Sequence, residues 1–122
     1  MSSSPVDPDR VRARLAAERA DTLVRIASLS REYDGIVEAN ALVAIDDEHD
    51  PEGSSTAFER SHIASLRAQA RSFLDELDQA AQRLDEGDYG VCEDCRGPIP
   101  EERLLARPAA STCVRCAAAG RR

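Results

Sequence analysis

The segment IDDEHDPEGSST, residues 45–56, decides the fold because it interrupts two long stretches of helical sequence. It contains Pro51, Gly53 and a dense run of carboxylates, and this combination favours a turn. On both sides of it, apolar residues recur at alternating spacings of three and four, which is typical of helices that pack along a seam. Neither stretch can bury its apolar stripe alone, so we expect the two to pair antiparallel as a helical hairpin.

The first arm is predicted to begin at Asp7, which can cap a helix whose first residue is Pro8. It extends to about Ile45 and contains Gly35 as its one glycine. Arg19 interrupts the seam, and a polar Asn40 within it is typical of a residue that fixes helix register. The predicted seam of this arm comprises Leu15, Thr22, Ile26, Leu29, Tyr33, Ile36, Asn40 and Val43.

The second arm is predicted to begin with a capping box, in which Thr56 is the N-cap and Glu59 the third helical residue. Gly87 offers a stop at the other end, because glycine is common just after the last helical residue. The seam of this arm comprises Ile63, Leu66, Ala70, Phe73, Leu77, Ala80 and Leu84.

Composition supports helices over a large globular core. Of the 122 residues, 32% are charged and only 3% are aromatic, a profile that is typical of long helices. A net charge of -7 argues against binding to a phosphate backbone, which requires many cationic contacts. Residues 1–6 are predicted to be a disordered lead without the apolar region of a secretory signal, and no apolar run is long enough to cross a membrane. We therefore expect a cytoplasmic protein.

All four cysteines lie in the segment 90–117, with the spacing C-x2-C-x17-C-x2-C. Two such pairs supply four thiolates in a tetrahedron, an arrangement that suits one zinc ion. Four thiolates leave no open coordination position, so the site is predicted to be structural and not catalytic. The predicted ligands are Cys92, Cys95, Cys113 and Cys116.

Local details of this module can also be predicted. Gly97 follows the first pair, where a positive φ would help the loop to fold back. A short helical turn is expected at 100–106, with Leu104 and Leu105 covering the metal core, followed by a frayed tail after Cys116.

The predicted fold class is mainly α, a long antiparallel helical hairpin (coiled coil) with a small C-terminal four-cysteine zinc-finger module. The corresponding domains are a disordered lead at 1–6, the hairpin at 7–87 with its tip at 45–56, and the module with a short tail at 88–122. We expect a monomer, and the alternative is a hairpin that dimerises into a four-helix bundle.

The tip concentrates five carboxylates within seven residues. A charge run of this kind is often only a solvated turn, but carboxylates at the end of a helical arm also suit Mg²⁺ or a basic pocket on a partner. These acidic residues are Asp46, Asp47, Glu48, Asp50 and Glu52.

The cysteine segment resembles the DksA/TraR family of bacterial RNA polymerase-binding regulators. The most specific residues are DYGVCEDCRGPIPEERLLARP at 88–108 and CVRC at 113–116, and the likeness of the hairpin is architectural. The resemblance implies a transcription regulator, not an enzyme, that inserts its hairpin into the secondary channel of RNA polymerase. It also implies that the acidic tip lies near the catalytic centre and that the alarmone ppGpp can strengthen the effect.

Two departures from the family pattern affect these expectations. The family tip carries D-x-x-D-x-A, whereas in this chain Asp47 and Asp50 are followed by Glu52 in place of the alanine. A gapless alignment from the first cysteine instead places His49, Glu52 and Ser54 at the three motif positions. The family's alarmone contacts correspond to Arg107, which is kept, and to two lysines that fall at Glu76 and Ala117. We therefore expect a weak response to ppGpp or none.

Three alternatives remain at this point. A zinc-ribbon module that binds nucleic acid would need a basic face, but the acidic and basic residues between the cysteines balance. A redox-sensing or oligomeric scaffold protein would show zinc release by oxidants or a stable dimer. A transcript-cleavage factor of the Gre type also uses an acidic hairpin tip, but such factors lack a four-cysteine module.

Overall fold

A computed structural model of the chain describes residues 7–46 and 53–120, and it describes side chains outside positions 40, 42–46 and 53–54. The helices in these ranges are α1 (Pro8–Asp46), α2 (Gly53–Glu86), α3 (Glu101–Ala106) and α4 (Val114–Ala118). The same ranges contain no strand, only an isolated antiparallel bridge between Val91 and Pro98. The predicted fold class is confirmed, whereas the predicted lead at 1–6 lies outside the described residues. None of the described helices is long and apolar enough to span a membrane.

The start of α1 follows the predicted cap. Asp7 accepts the backbone N–H of Asp9 through its Oδ1 at 3.0 Å and the N–H of Val11 through its carbonyl oxygen at 3.0 Å. Pro8 occupies the first helical position, where its missing N–H costs no hydrogen bond.

The start of α2 differs from the prediction. The helix begins at Gly53, three residues before the expected N-cap, so Thr56 lies inside the helix and is not its N-cap. An N-cap contributes only about 1 kcal/mol, and the additional helical residues Gly53, Ser54 and Ser55 can outweigh it.

The end of α2 is a Schellman motif at the predicted glycine. Gly87 has φ +84°, its N–H donates to the carbonyl of Leu84 at 3.2 Å, and the N–H of Asp88 donates to the carbonyl of Arg83 at 2.8 Å. The chain therefore leaves α2 in a fixed direction toward the cysteine module.

The chain divides into two compact units, of which the first comprises Met1–Ala20 with Leu74–Arg122. Here α1 and α2 run antiparallel, as two ion pairs between them show: Arg12 pairs with Asp85 at 3.1 Å and Arg19 pairs with Asp78 at 2.7 Å. The side chains buried between the helices are Leu15, Leu77 and Ala80. Arg19, which interrupts the predicted seam, is thus accommodated by an ion pair at its edge.

The second unit comprises Asp21–Phe73. Thr22, Leu29 and Ala70 are buried at predicted seam positions, whereas Ile26, Ile36 and Ile63 are half-buried. Arg67 joins the helices by donating to Ser30 Oγ at 3.4 Å and stacking 4.8 Å from the ring centre of Tyr33. The side chains of Asn40 and Val43 lie outside the described set.

Candidate metal centre

The first cysteine pair lies on a tight turn closed by the bridge between Val91 and Pro98. The Cys92 N–H donates to the Gly97 carbonyl at 2.8 Å, and the Arg96 N–H donates to the Cys92 carbonyl at 2.9 Å. The left-handed residue of this turn is Arg96, with φ 65°, and not Gly97 as predicted. Gly97 instead allows the backbone to approach the Cys95 sulfur closely. Its N–H donates to that sulfur at 3.4 Å, and an added Cβ would also lie 3.4 Å from it.

The second pair is placed by a short helix that the sequence prediction missed. Cys113 is the N-cap of α4 and Cys116 lies within it, so the chain after Cys116 is helical as far as Ala118 and does not fray there. The Cys113 N–H donates to the Cys92 sulfur at 3.3 Å, which ties the two pairs together. The signal for α4 was available only as the alanine run after Cys116, which favours helix.

The four sulfurs form one cluster. The Sγ atoms of the four cysteines all lie within 4.8 Å of one another, and those of Cys95 and Cys113 are 3.9 Å apart. Thiolates placed about 2.3 Å from a tetrahedral zinc ion would be separated by about 3.8 Å, so the donor set and spacing fit zinc. The zinc would be held by sulfur alone, which makes it a structural ion.

The thiols have divergent pKa values without a cation. Backbone N–H groups, that of Cys95 first, lower the pKa of Cys92 to about 6. The hydrogen bond with Cys113 raises the pKa of Cys116 to about 12. Cys116 thus retains its proton chiefly because of this hydrogen bond, and repulsion from neighbouring thiolates adds to the effect. A bound divalent cation removes this repulsion, and its binding releases the remaining protons.

A small apolar core supports the cysteine turns. It contains Cys92, Ile99, Leu104 and Ala110, with Tyr89 packed against it. The Tyr89 hydroxyl donates to the carbonyl of Pro108 at 2.7 Å. The prediction that Leu105 also covers this core is wrong, since its side chain is 61% exposed. Adjacent helical residues point about 100° apart, and Leu104 already faces the core.

Two arginines, Arg103 within the module and Arg83 on α2, donate to main-chain carbonyls of the module. Arg103 donates to the Thr112 carbonyl through Nε at 2.7 Å, directly before the second cysteine pair. Arg83 on α2 donates to the Ala110 carbonyl at 3.4 Å and lies 3.6 Å from the Glu93 carboxylate. Only 12% of the Arg83 side chain is exposed, so this contact is part of the module's packing.

Arg107 lines a cavity of about 280 Å³ on the same unit. Glu76 and Ala117, the two positions that the family pattern gives as lysines, line the same cavity. Arg83 and Arg103 also line it, and sequence reasoning did not find them because 20 residues and a change of helix separate them. A second cavity, of about 480 Å³, is lined by Tyr89, Leu104 and Leu105 together with residues of the first turns of α1.

Most of the acidic tip lies outside the described residues. Asp47, Glu48, Asp50 and Glu52 lie outside the described residues, as does His49, and Asp46 is the last residue of α1. His62 lies on α2 and is exposed, as predicted. The role of the tip carboxylates therefore stays a prediction.

Comparison with known proteins identifies the module. Residues 87–119 match the family model described as the prokaryotic DksA/TraR C4-type zinc finger. Over 61 residues the chain is 36% identical to the RNA polymerase-binding transcription factor DksA of Caulobacter vibrioides, covering 50% of this chain and 43% of that protein. Over 44 residues it is 46% identical to an uncharacterised protein of Aquifex aeolicus, covering 36% of this chain and 30% of that protein. The chain thus matches less than half the length of these curated relatives.

A solved structure extends the similarity to the helices. The transcription factor DksA2 from Pseudomonas aeruginosa superposes with a TM-score of 0.74 and 27% identity, covering 92% of this chain and 81% of that chain. The likeness therefore includes the long helices as well as the four-cysteine module.

Proposed function

We propose that this chain binds bacterial RNA polymerase directly and regulates transcription initiation. The premise is that the chain is a member of the DksA/TraR family of C4 zinc-finger proteins. The observation that carries the proposal is the family-specific segment 87–119 folded around four clustered sulfurs. Similarity to DksA2 over 92% of the chain supports it, because the two long helices are included.

In the proposed mechanism, the hairpin enters the secondary channel of polymerase and its acidic tip acts near the catalytic centre. The helices of 39 and 34 residues provide an arm on which such a tip can be presented. Carboxylates at 46–52 suit a channel that leads to a catalytic Mg²⁺. The zinc module serves as the base of the hairpin and supplies contacts at the channel rim.

The remaining assignments belong to the same proposal. The chain acts in the cytoplasm as a monomeric, non-enzymatic regulator, with a lead at 1–6, a hairpin at 7–87 and a zinc module at 88–122. It does not recognise promoter DNA itself, which agrees with its net charge of -7.

The test is binding to purified RNA polymerase together with transcription in vitro. We expect Asp50→Ala and Glu52→Ala to retain binding and to lose regulation, because rim contacts supply most of the affinity. Asp21→Ala, which removes an exposed carboxylate from α1, is the matched control and should retain both properties. A wild-type protein that does not bind polymerase, or that binds DNA alone with a steep salt dependence, contradicts the proposal.

We also propose that ppGpp has little effect on this protein. Arg107 lines the 280 Å³ cavity, but Glu76 places a carboxylate there and Ala117 offers no cation. Arg83 and Arg103 are engaged with the carbonyls of Ala110 and Thr112. A phosphate-rich ligand would therefore meet one uncommitted arginine and an opposing negative charge.

A gain-of-function variant tests this statement. In transcription assays with wild-type protein, added ppGpp should change the regulatory effect by less than about twofold, whereas Glu76→Lys combined with Ala117→Lys should increase the response. A wild-type protein that regulates only when ppGpp is present would refute the proposal.

A further inference from the structure

Arg96 occupies a backbone conformation that favours glycine. Its φ is 65°, and no other non-glycine residue of the described ranges has a positive φ. Left-handed backbone is unfavourable for residues with a Cβ, and glycine would adopt it without that cost. The turn needs this conformation, because the Arg96 N–H and the Gly97 carbonyl both bond to the backbone of Cys92. The module therefore folds with a strained residue beside its metal ligands.

No contact inside the described structure accounts for an arginine at this position. The side chain is exposed, and within residues 7–46 and 53–120 no hydrogen bond, ion pair or ring contact joins its guanidinium to another residue. Glu93, in the same turn, is paired with Arg83. A strained and exposed cation that has no partner among the described residues indicates a role outside the fold, since strain of this kind concentrates at functional sites.

The charges around Arg96 indicate what it binds. Glu93, which is paired with Arg83, and Asp94 are exposed acidic residues of the same turn, so they disfavour a densely charged phosphate backbone more than a single carboxylate. The planar guanidinium fork pairs well with a single carboxylate through two parallel hydrogen bonds. We propose that Arg96 is a partner-contact residue whose guanidinium binds a carboxylate on the protein surface that docks against the zinc module. This inference rests on the proposed function, under which that surface belongs to RNA polymerase.

Binding and stability should respond in opposite directions at this position. Arg96→Gly and Arg96→Asn both remove the cation and accept a left-handed backbone, so the melting temperature of the zinc-loaded protein should hold or rise. Affinity for purified polymerase at physiological salt should fall about fivefold or more, the loss of one charge-assisted contact. Arg96→Lys keeps the charge without the fork and should fall between wild type and Arg96→Asn.

The matched control is Arg115→Asn, which removes an exposed arginine from α4 and should change the Kd by less than about twofold. Unchanged affinity of the Arg96 variants, an equal loss in Arg115→Asn, or a loss that tracks a lower melting temperature would each overturn the inference. In those cases wild-type binding still supports the proposed function. If the wild-type protein does not bind polymerase, the proposed function fails and this inference fails with it.

Discussion

Removing zinc should unfold the cysteine module and leave most of the helical structure intact. The module's core holds only Cys92, Ile99, Leu104 and Ala110, with Tyr89 at its edge, which is too little apolar burial to hold so small a fold without metal. The seam residues Leu15, Leu77 and Ala80 do not depend on the sulfurs. Chelation should therefore unfold the cysteine module, which zinc stabilises, without unfolding the two long helices, which apolar packing stabilises.

The size of the effect follows from the helix lengths. The short helices α3 and α4 contain 6 and 5 residues, against 39 and 34 in α1 and α2. Loss of both short helices would lower the helical signal in far-ultraviolet circular dichroism by about an eighth. Some fraying at the adjacent end of α2 would add to this, because Arg83 loses the Ala110 carbonyl as its acceptor.

The assay measures released zinc with a metal-sensitive dye while the circular dichroism at 222 nm is recorded during titration with a chelator. We expect one zinc per chain, a proportional loss of about an eighth of the helical signal, and recovery when zinc is returned. Cys95→Ser should start in the chelated state, whereas Arg115→Gln should behave as wild type. Zinc release without any spectral change, or with loss of most of the helical signal, would refute the reasoning.

Two further predictions concern the helices. Leu77→Ala should lower the free energy of unfolding by about 2–5 kcal/mol, because Leu77 is only 1% exposed. Leu105 is 61% exposed, so Leu105→Ala should change that free energy by less than about 0.5 kcal/mol. Equal effects of the two substitutions in urea denaturation would show that the seam is misassigned. Gly87→Ala should destabilise the protein by about 1–2 kcal/mol, because Gly87 has φ +84°. Gly35 lies inside α1 with no atom within 4 Å of an added Cβ, so Gly35→Ala should stabilise the protein by about 0.5–1 kcal/mol. Thermal melts that show shifts of the same sign for both variants would contradict this assignment.

Local chemistry explains which helix boundaries could be predicted from sequence. Asp7 and Gly87 act through hydrogen bonds to residues at most five positions away, so their sequence neighbours suffice to identify them. The start of α2 could not be predicted from Thr56 and Glu59, because two alternatives compete. A capping box would start the helix at Thr56, whereas additional helical residues start it earlier, at Gly53. When both alternatives differ by about 1 kcal/mol, sequence pattern does not decide between them.

The spacing of the cysteines predicted the metal centre but not the backbone of its turns. The C-x2-C pattern requires the chain to reverse after Cys95, and either Arg96 or Gly97 could take the left-handed position. Glycine is the better residue for it, yet the closing hydrogen bonds to Cys92 place it at Arg96. The family resemblance grouped Glu76, Arg107 and Ala117, but it did not predict that Arg83 and Arg103 line the same cavity, since this depends on how the module packs against α2.

The arginines of the module and Arg83 of α2, which are equivalent by charge in the sequence, separate into two groups in the structure. Arg83 and Arg103 are directed inward and donate to the carbonyls of Ala110 and Thr112, so their positive charges are used to hold the segment between the cysteine pairs. Arg96, Arg107 and Arg115 are exposed, and within the described ranges no hydrogen bond or ion pair joins their guanidinium groups to another residue. The balanced net charge of the module is therefore unevenly distributed, because the cations that remain available to a partner lie at the first cysteine turn, beside the 280 Å³ cavity and on α4. Substitutions in the first group should act on stability, whereas in the second group we expect the effect on binding at Arg96 and not at Arg115.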